Sequence, residues 1–170
     1  MKPAVDEIRE ILAVARDELL EGYAVSQEVS RKEALDSVSA IIGFTSANIR
    51  GNLLVSSPHD FLKRWVEQMT EGPAVDDQLH DWVGELSNQL LGRFKRKLLS
   101  RGVEIEMTPP SIVVGSNVRL RSPSRARRVE VELTRPGFDC ALDLEVDDGF
   151  EIPEADSAAM PIGEGDLMLL

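Results

Sequence analysis

Over residues 4–21 apolar side chains recur every three or four positions, with Val5, Ile8, Leu12, Ala15 and Leu19 on one side. This spacing predicts an amphipathic helix, and Gly22 is suited to end it. A weaker alternation from Tyr23 to Arg31 predicts an edge strand. At Val38 the period changes to two. Val38, Ala40, Ile42 and Phe44 alternate with other residues, as do Ile49, Gly51, Leu53 and Val55 after the turn Ser46-Ala47-Asn48. That pattern predicts a β-hairpin. Ser57-Pro58 then offers an N-cap and a proline at the first helical position, with Asp60 placed to reach back. The helix that follows, to about Thr70, should bury Phe61, Leu62, Trp65 and Met69 before Gly72-Pro73 stops it.

The longest helical pattern runs from about Val75 to Arg101 and closes at Gly102. At about 1.5 Å per residue it would span roughly 40 Å. Leu79, Val83, Leu86, Leu90 and Phe94 form its apolar side. At about 100° per residue, Asp81, Glu85, Asn88 and Gly92 fall in a narrow stripe roughly opposite. Packed by its apolar side, such a helix presents Glu85 and Asn88 outward, one turn apart. Periodicity alone would read that stripe as a solvated face. Gly92 argues for more, because a glycine inside a helix costs about 1 kcal/mol against alanine and invites a close approach from outside.

Downstream, strands are expected near Val103–Met107, Ile112–Arg121, Arg127–Thr134 and Phe138–Val146, with Arg135-Pro136-Gly137 as a tight turn. Helices interrupt a strand-rich chain without regular βαβ alternation. The fold class is therefore α+β, an antiparallel sheet packed with helices around a long central helix.

The chain's 170 residues suit one domain, residues 1–149. The rest, 150–170, carries Glu151, Glu154, Asp156, Glu164 and Asp166 with no base, and reads as an acidic, disordered tail ending in Leu167-Met168-Leu169-Leu170. A net charge of −11 argues against nucleic acid as the main partner. The longest apolar runs are too short to cross a bilayer, and the start lacks the apolar core of a signal peptide. A single cysteine, Cys140, cannot form an internal disulfide and fits a reducing cytoplasm. Its alternation with Phe138 and Leu142 marks it as a buried, inert thiol.

The chemistry turns on the paired acid and amide. An ionised Glu85 only accepts hydrogen bonds, while Asn88 both donates and accepts. A carboxamide can hold a water and aim its lone pair at an electrophile, and it need not remove a proton when the leaving group is good. The order Asp81-x3-Glu85-x2-Asn88, followed by Pro109-Pro110, resembles the signature of the CheC/CheX/FliY phosphatases of bacterial chemotaxis. Residues 40–45 and 51–56 resemble that family's first hairpin, and residues 109–115 resemble the strand after its long helix. The resemblance covers roughly residues 35 to 146. One complete motif is present: Asp6 and Glu10 begin a second, but Ala13 stands where the amide would be. This points to the CheX type.

The resemblance implies hydrolysis of the aspartyl phosphate on a CheY-type response regulator. Asn88 would orient the attacking water and Glu85 would pair with the partner's active-site lysine. Asp81 and Gly92 would lie on the partner-facing surface, although Asp81, near the first turns, is better suited to neutralise the positive end of the helix. The Mg2+ that neutralises the phosphoryl oxygens belongs to the regulator, so this chain needs no metal or other cofactor of its own. Such proteins are often homodimers. A non-catalytic adaptor, or a flagellar-switch-like module that binds a regulator, would use the same face without turnover. Pro109 and Pro110 shape a connection. Arg119, Arg121, Arg125, Arg127 and Arg128 surround a Ser-Pro-Ser hairpin tip or dock an acidic partner. His59 and His80 have no third ligand at zinc spacing.

Overall fold

The computed structural model describes residues 4–23, 36–120, 128–135 and 137–154. Helix α1 spans Ala4–Glu21 and the hairpin strands are β1 (Ser37–Thr45) and β2 (Ile49–Pro58). Helices α2 (His59–Thr70) and α3 (Asp76–Leu99) follow, then β3 (Glu106–Met107), β4 (Ser111–Gly115), β5 (Arg128–Arg135) and β6 (Phe138–Val146). The strands form one antiparallel sheet in the order β3-β1-β2-β6-β5, with β4 also pairing β1. The α+β class expected from the pattern is the class observed.

The hairpin turns where Ser46 N donates to Ile49 O at 2.7 Å, while the Ser46 hydroxyl accepts from the Asn48 and Ile49 amides. The period of two then decides which side chains meet the helices. Val38, Ala40, Ile42 and Phe44 of β1, Ile49, Leu53 and Val55 of β2, and Phe138, Cys140, Leu142 and Leu144 of β6 are all buried. They pack against Ile8, Leu12 and Leu19 of α1, Phe61, Leu62, Trp65 and Val66 of α2, and the apolar side of α3 in one core.

Beyond β2, β1 is flanked by an interrupted strand. Short β3 pairs with its C-terminal end and β4 with its N-terminal half. Between them Thr108 stitches the gap: its amide donates to Gly43 O at 2.9 Å and its hydroxyl accepts from Gly43 N at 3.0 Å.

Several expected details differ. Ser57 does not cap α2, because β2 continues through Pro58 and the buried Ser57 hydroxyl donates instead to Gly137 O at 2.8 Å. Met69 is half exposed, and Val66 takes the core position expected of it. The alternation of Val103, Ile105 and Met107 yields only the two-residue β3, since Val103 and Ile105 fill the core from backbone that lies outside the sheet. β4 ends at Gly115, well short of Arg121. At the other end of the domain, Phe150 packs on the core and Ile152 is buried. The weak alternation over 24–31 and the tail from residue 155 lie outside the described residues.

Candidate functional site

Helix α3 is placed by its apolar side. Leu79, Val83, Leu86, Leu90 and Phe94 are each 1% exposed or less, and Leu91 and Leu98 extend the buried side. Burying such a side chain contributes about 1.5–3 kcal/mol. Rotating the helix to hide its polar stripe would forfeit roughly 10 kcal/mol, which fixes the stripe's outward direction. Asp76 and Asp77 occupy the first turn, where negative charge complements the helix dipole. The C-terminus closes with Gly102 at φ +73°, Gly102 N donating to Leu99 O and Val103 N to Leu98 O, a Schellman arrangement. Ion pairs from Lys97 to Glu18 (2.6 Å) and Arg101 to Glu7 (3.5 Å) tie α3 to α1.

On the outward side Asp81 and Glu85 are exposed, while Asn88 and Gly92 are half-buried. Asp81 lies a full turn inside the helix, past the two first-turn acids that offset the dipole. Ser87, between Glu85 and Asn88, turns inward and its hydroxyl donates to Gly84 O at 2.7 Å. Among the described residues the Asn88 carboxamide has no side-chain hydrogen bond, so neither its donors nor its acceptor is engaged there. A β-carbon added at Gly92 would meet nothing within 4 Å. Nothing among the described residues therefore requires glycine there.

Glu85 is not wholly free. Gln89 Nε2 donates to its Oε1 at 2.8 Å, and Gln89 Oε1 accepts from the Tyr23 hydroxyl at 3.2 Å. Tyr23 is held edge-on against Trp65 and Trp82, with ring centroids 5.4 Å and 6.0 Å away. Neither Gln89 nor Tyr23 was singled out by the sequence pattern. Gln89 was within reach of it, since it stands four residues after Glu85 on the same helix. Tyr23 was not, because nothing local announces a contact 66 residues away.

The other predicted residues scatter. Pro110 and Ile112 lie over Gly84 at the near edge of the stripe. His59 bridges the starts of two helices, its Nε2 3.2 Å from Asp76 Oδ1 and its Nδ1 3.5 Å from Asp60 Oδ1. Arg119 is exposed, and the side chains of the other four clustered arginines lie outside the described residues. Among the described residues no group of three or more His, Cys, Asp or Glu side chains is placed to hold a metal ion. No helix among them is long and apolar enough to cross a membrane. What the arrangement offers chemically is an acceptor-only carboxylate beside an unengaged carboxamide on a rigid, convex helix. It suits insertion into another molecule better than enclosure of a small substrate.

Comparison with known proteins agrees in fold and in sequence. The family model described as Chemotaxis phosphatase CheX matches residues 38–134. A CheY-P phosphatase CheX of Thermotoga maritima is 30% identical over 97 residues, which cover 55% of this chain and 62% of that relative. The chain thus matches a little under two thirds of that relative's length. The crystal structure of the chemotaxis protein CheX from Vibrio vulnificus superposes with a TM-score of 0.64 at 18% identity, covering 81% of this chain and 97% of that one. The chain is also similar to the crystal structure of the CheX–CheY–BeF3–Mg2+ complex from Borrelia burgdorferi, with a TM-score of 0.57 at 16% identity, covering 82% of this chain and 97% of that one. At such identities the two structures speak for the fold.

Proposed function

Because the chain belongs to the CheX family of chemotaxis phosphatases, we propose that it hydrolyses the aspartyl phosphate of a CheY-type response regulator. The observation that carries this reading is the pairing, one turn apart on a rigid helix, of exposed Glu85 with an Asn88 carboxamide that has no internal partner among the described residues. The pairing has no evident structural purpose, and it has the shape of a tool presented outward.

In this mechanism the regulator supplies the acyl phosphate and the Mg2+ that neutralises its phosphoryl oxygens. Glu85 docks on the regulator's active-site lysine and sets the register. Asn88 then enters the site and holds a water in line with the phosphorus through its amide donor and acceptor. The water oxygen forms the new P–O bond as the bond to the aspartyl oxygen breaks. That electron pair returns to the aspartate as a carboxylate, and both of the water's protons leave with inorganic phosphate. No base is needed, because a carboxylate is already a good leaving group. Positioning one water is worth about 3–4 kcal/mol, or a few hundredfold in rate. Asp81 and Gly92 complete the surface that meets the regulator. Work on such a phosphorylated regulator would place the protein in the cytoplasm.

The deciding experiment is phosphate release from a panel of phosphorylated CheY-type regulators, with and without the protein. Acceleration that vanishes in Asn88→Ala, while binding survives, is the expected result. Equal release from wild type and Asn88→Ala would instead identify a non-catalytic adaptor or flagellar-switch-like module.

A further inference from the structure

We infer that Gln89, itself fixed by the Tyr23 hydroxyl, is a positioning residue that aims the Glu85 carboxylate at the partner. This rests on the functional reading above and adds to it a residue outside the Asp-Glu-Asn pattern.

The direction of the hydrogen bonds carries the argument. A carboxamide can be turned end for end, exchanging its oxygen and nitrogen. Here only one orientation works. An ionised Glu85 accepts and cannot donate, so an amide oxygen 2.8 Å from it would set two acceptors against each other. Gln89 must therefore point its nitrogen at Glu85 and its oxygen at Tyr23, whose hydroxyl is free to donate. The relay runs one way: Tyr23 O–H to Gln89 Oε1, then Gln89 N–H to Glu85 Oε1.

Its two ends differ in rigidity. The Tyr23 ring packs edge-on against Trp65, which is 5% exposed, and against Trp82. Glu85 stands in solvent, where a long acidic side chain would otherwise sample many rotamers. The relay carries the order of the aromatic cluster out to an exposed carboxylate. It occupies Oε1 and, among the described residues, leaves Oε2 open for a cation. A side chain already held in its bound geometry loses less freedom when the partner arrives. The same bond does nothing for the water at Asn88, so its effect should fall on docking and not on the chemical step.

The test uses the full-length protein and the regulator of the panel whose phosphate it releases fastest, phosphorylated with acetyl phosphate. Gln89→Ala should raise KM about three- to tenfold with kcat nearly unchanged. Tyr23→Phe keeps the ring and removes only the hydroxyl, so it should move KM the same way by less. Affinity for the beryllofluoride-activated regulator supplies the second readout: in a Glu85→Ala background, Gln89→Ala should weaken binding no further. A residue that merely stabilised the helix would act equally in both backgrounds. If wild type accelerates release but Gln89→Ala keeps the wild-type KM, or its effect is additive with Glu85→Ala, the positioning role is wrong and the phosphatase reading stands. If wild type accelerates release from no regulator, both fall together.

Discussion

Pro110 rests over Gly84: a β-carbon at position 84 would lie 3.8 Å from Pro110 Cγ and 3.5 Å from Ile112 Cδ1. The proline that follows the long helix in sequence thus returns to cover a glycine inside the Asp81–Asn88 stretch. It seats α3 beside β4. Both distances are ordinary van der Waals contacts, so this glycine is not demanded by space for a methyl group. Gly84→Ala should keep the packing and gain helix propensity. We expect stabilisation of about 0.5–1 kcal/mol, a rise of a few degrees in Tm on thermal denaturation. Gly84→Leu should push Pro110 and Ile112 off the helix and cost about 1–3 kcal/mol.

Gly51 behaves oppositely. A β-carbon there would sit 2.2 Å from Asp143 O and 3.0 Å from Phe44 Cζ. The first neighbour is backbone of β6, paired to β2 along eight registered positions, and it cannot step aside without breaking that ladder. Gly51→Ala is expected to cost at least about 3 kcal/mol, measured as a lowered urea midpoint or as failure to fold.

These two glycines mark where the sequence could be read and where it could not. Both sit in apolar-periodic segments, and only the neighbours brought by the fold tell a tolerant site from an intolerant one. Helix α3 was legible because five apolar residues at helical spacing leave one way to pack it. The strand Phe138–Val146 was legible because its alternation is bounded by Pro-Gly before and Asp-Asp after. Ser57 misled, since a Ser-Pro pair has the local chemistry of a cap, while its real partner, Gly137 O, lies 80 residues away. Ile105 misled because a core position alternates in sequence whether or not its backbone is paired. For the site, periodicity only put Glu85 and Asn88 on the polar face; the order Asp81-x3-Glu85-x2-Asn88 and its family resemblance singled them out. The Tyr23 hydroxyl that reaches Glu85 through Gln89 is a tertiary contact with no local signature.

Cys140 makes a prediction in pH. Burial pushes its thiol up from the ordinary 9.0 to about 12, because the apolar surroundings disfavour the thiolate. Between those values the unfolded chain loses this proton while the folded one keeps it. The stabilisation linked to the group is complete below about pH 9 and is lost progressively as pH rises towards 12. Denaturant titrations of wild type and Cys140→Ala should therefore converge as pH is raised through this window. A thiol reagent at pH 8 should label Cys140 only after denaturation; rapid labelling of the folded protein would contradict its burial.

Gly92 separates what the helix needs from what its partner needs. Among the described residues an alanine methyl at this position would meet nothing within 4 Å, and alanine is the better helix former by about 1 kcal/mol. Gly92→Ala should accordingly raise Tm by about 2–4 °C. The regulator would feel the change differently. A surface resting on the backbone at Gly92 would be held off by the new methyl, and the water at Asn88, one turn away, would be carried out of line. A displacement of about 1 Å can cost around a hundredfold in rate, so phosphate release should fall by about ten- to a hundredfold in a protein that has become more stable. Opposite signs for stability and activity in one variant cannot arise from unfolding. Unchanged phosphate release by Gly92→Ala would mean that no surface comes close there, and would leave the glycine without a role.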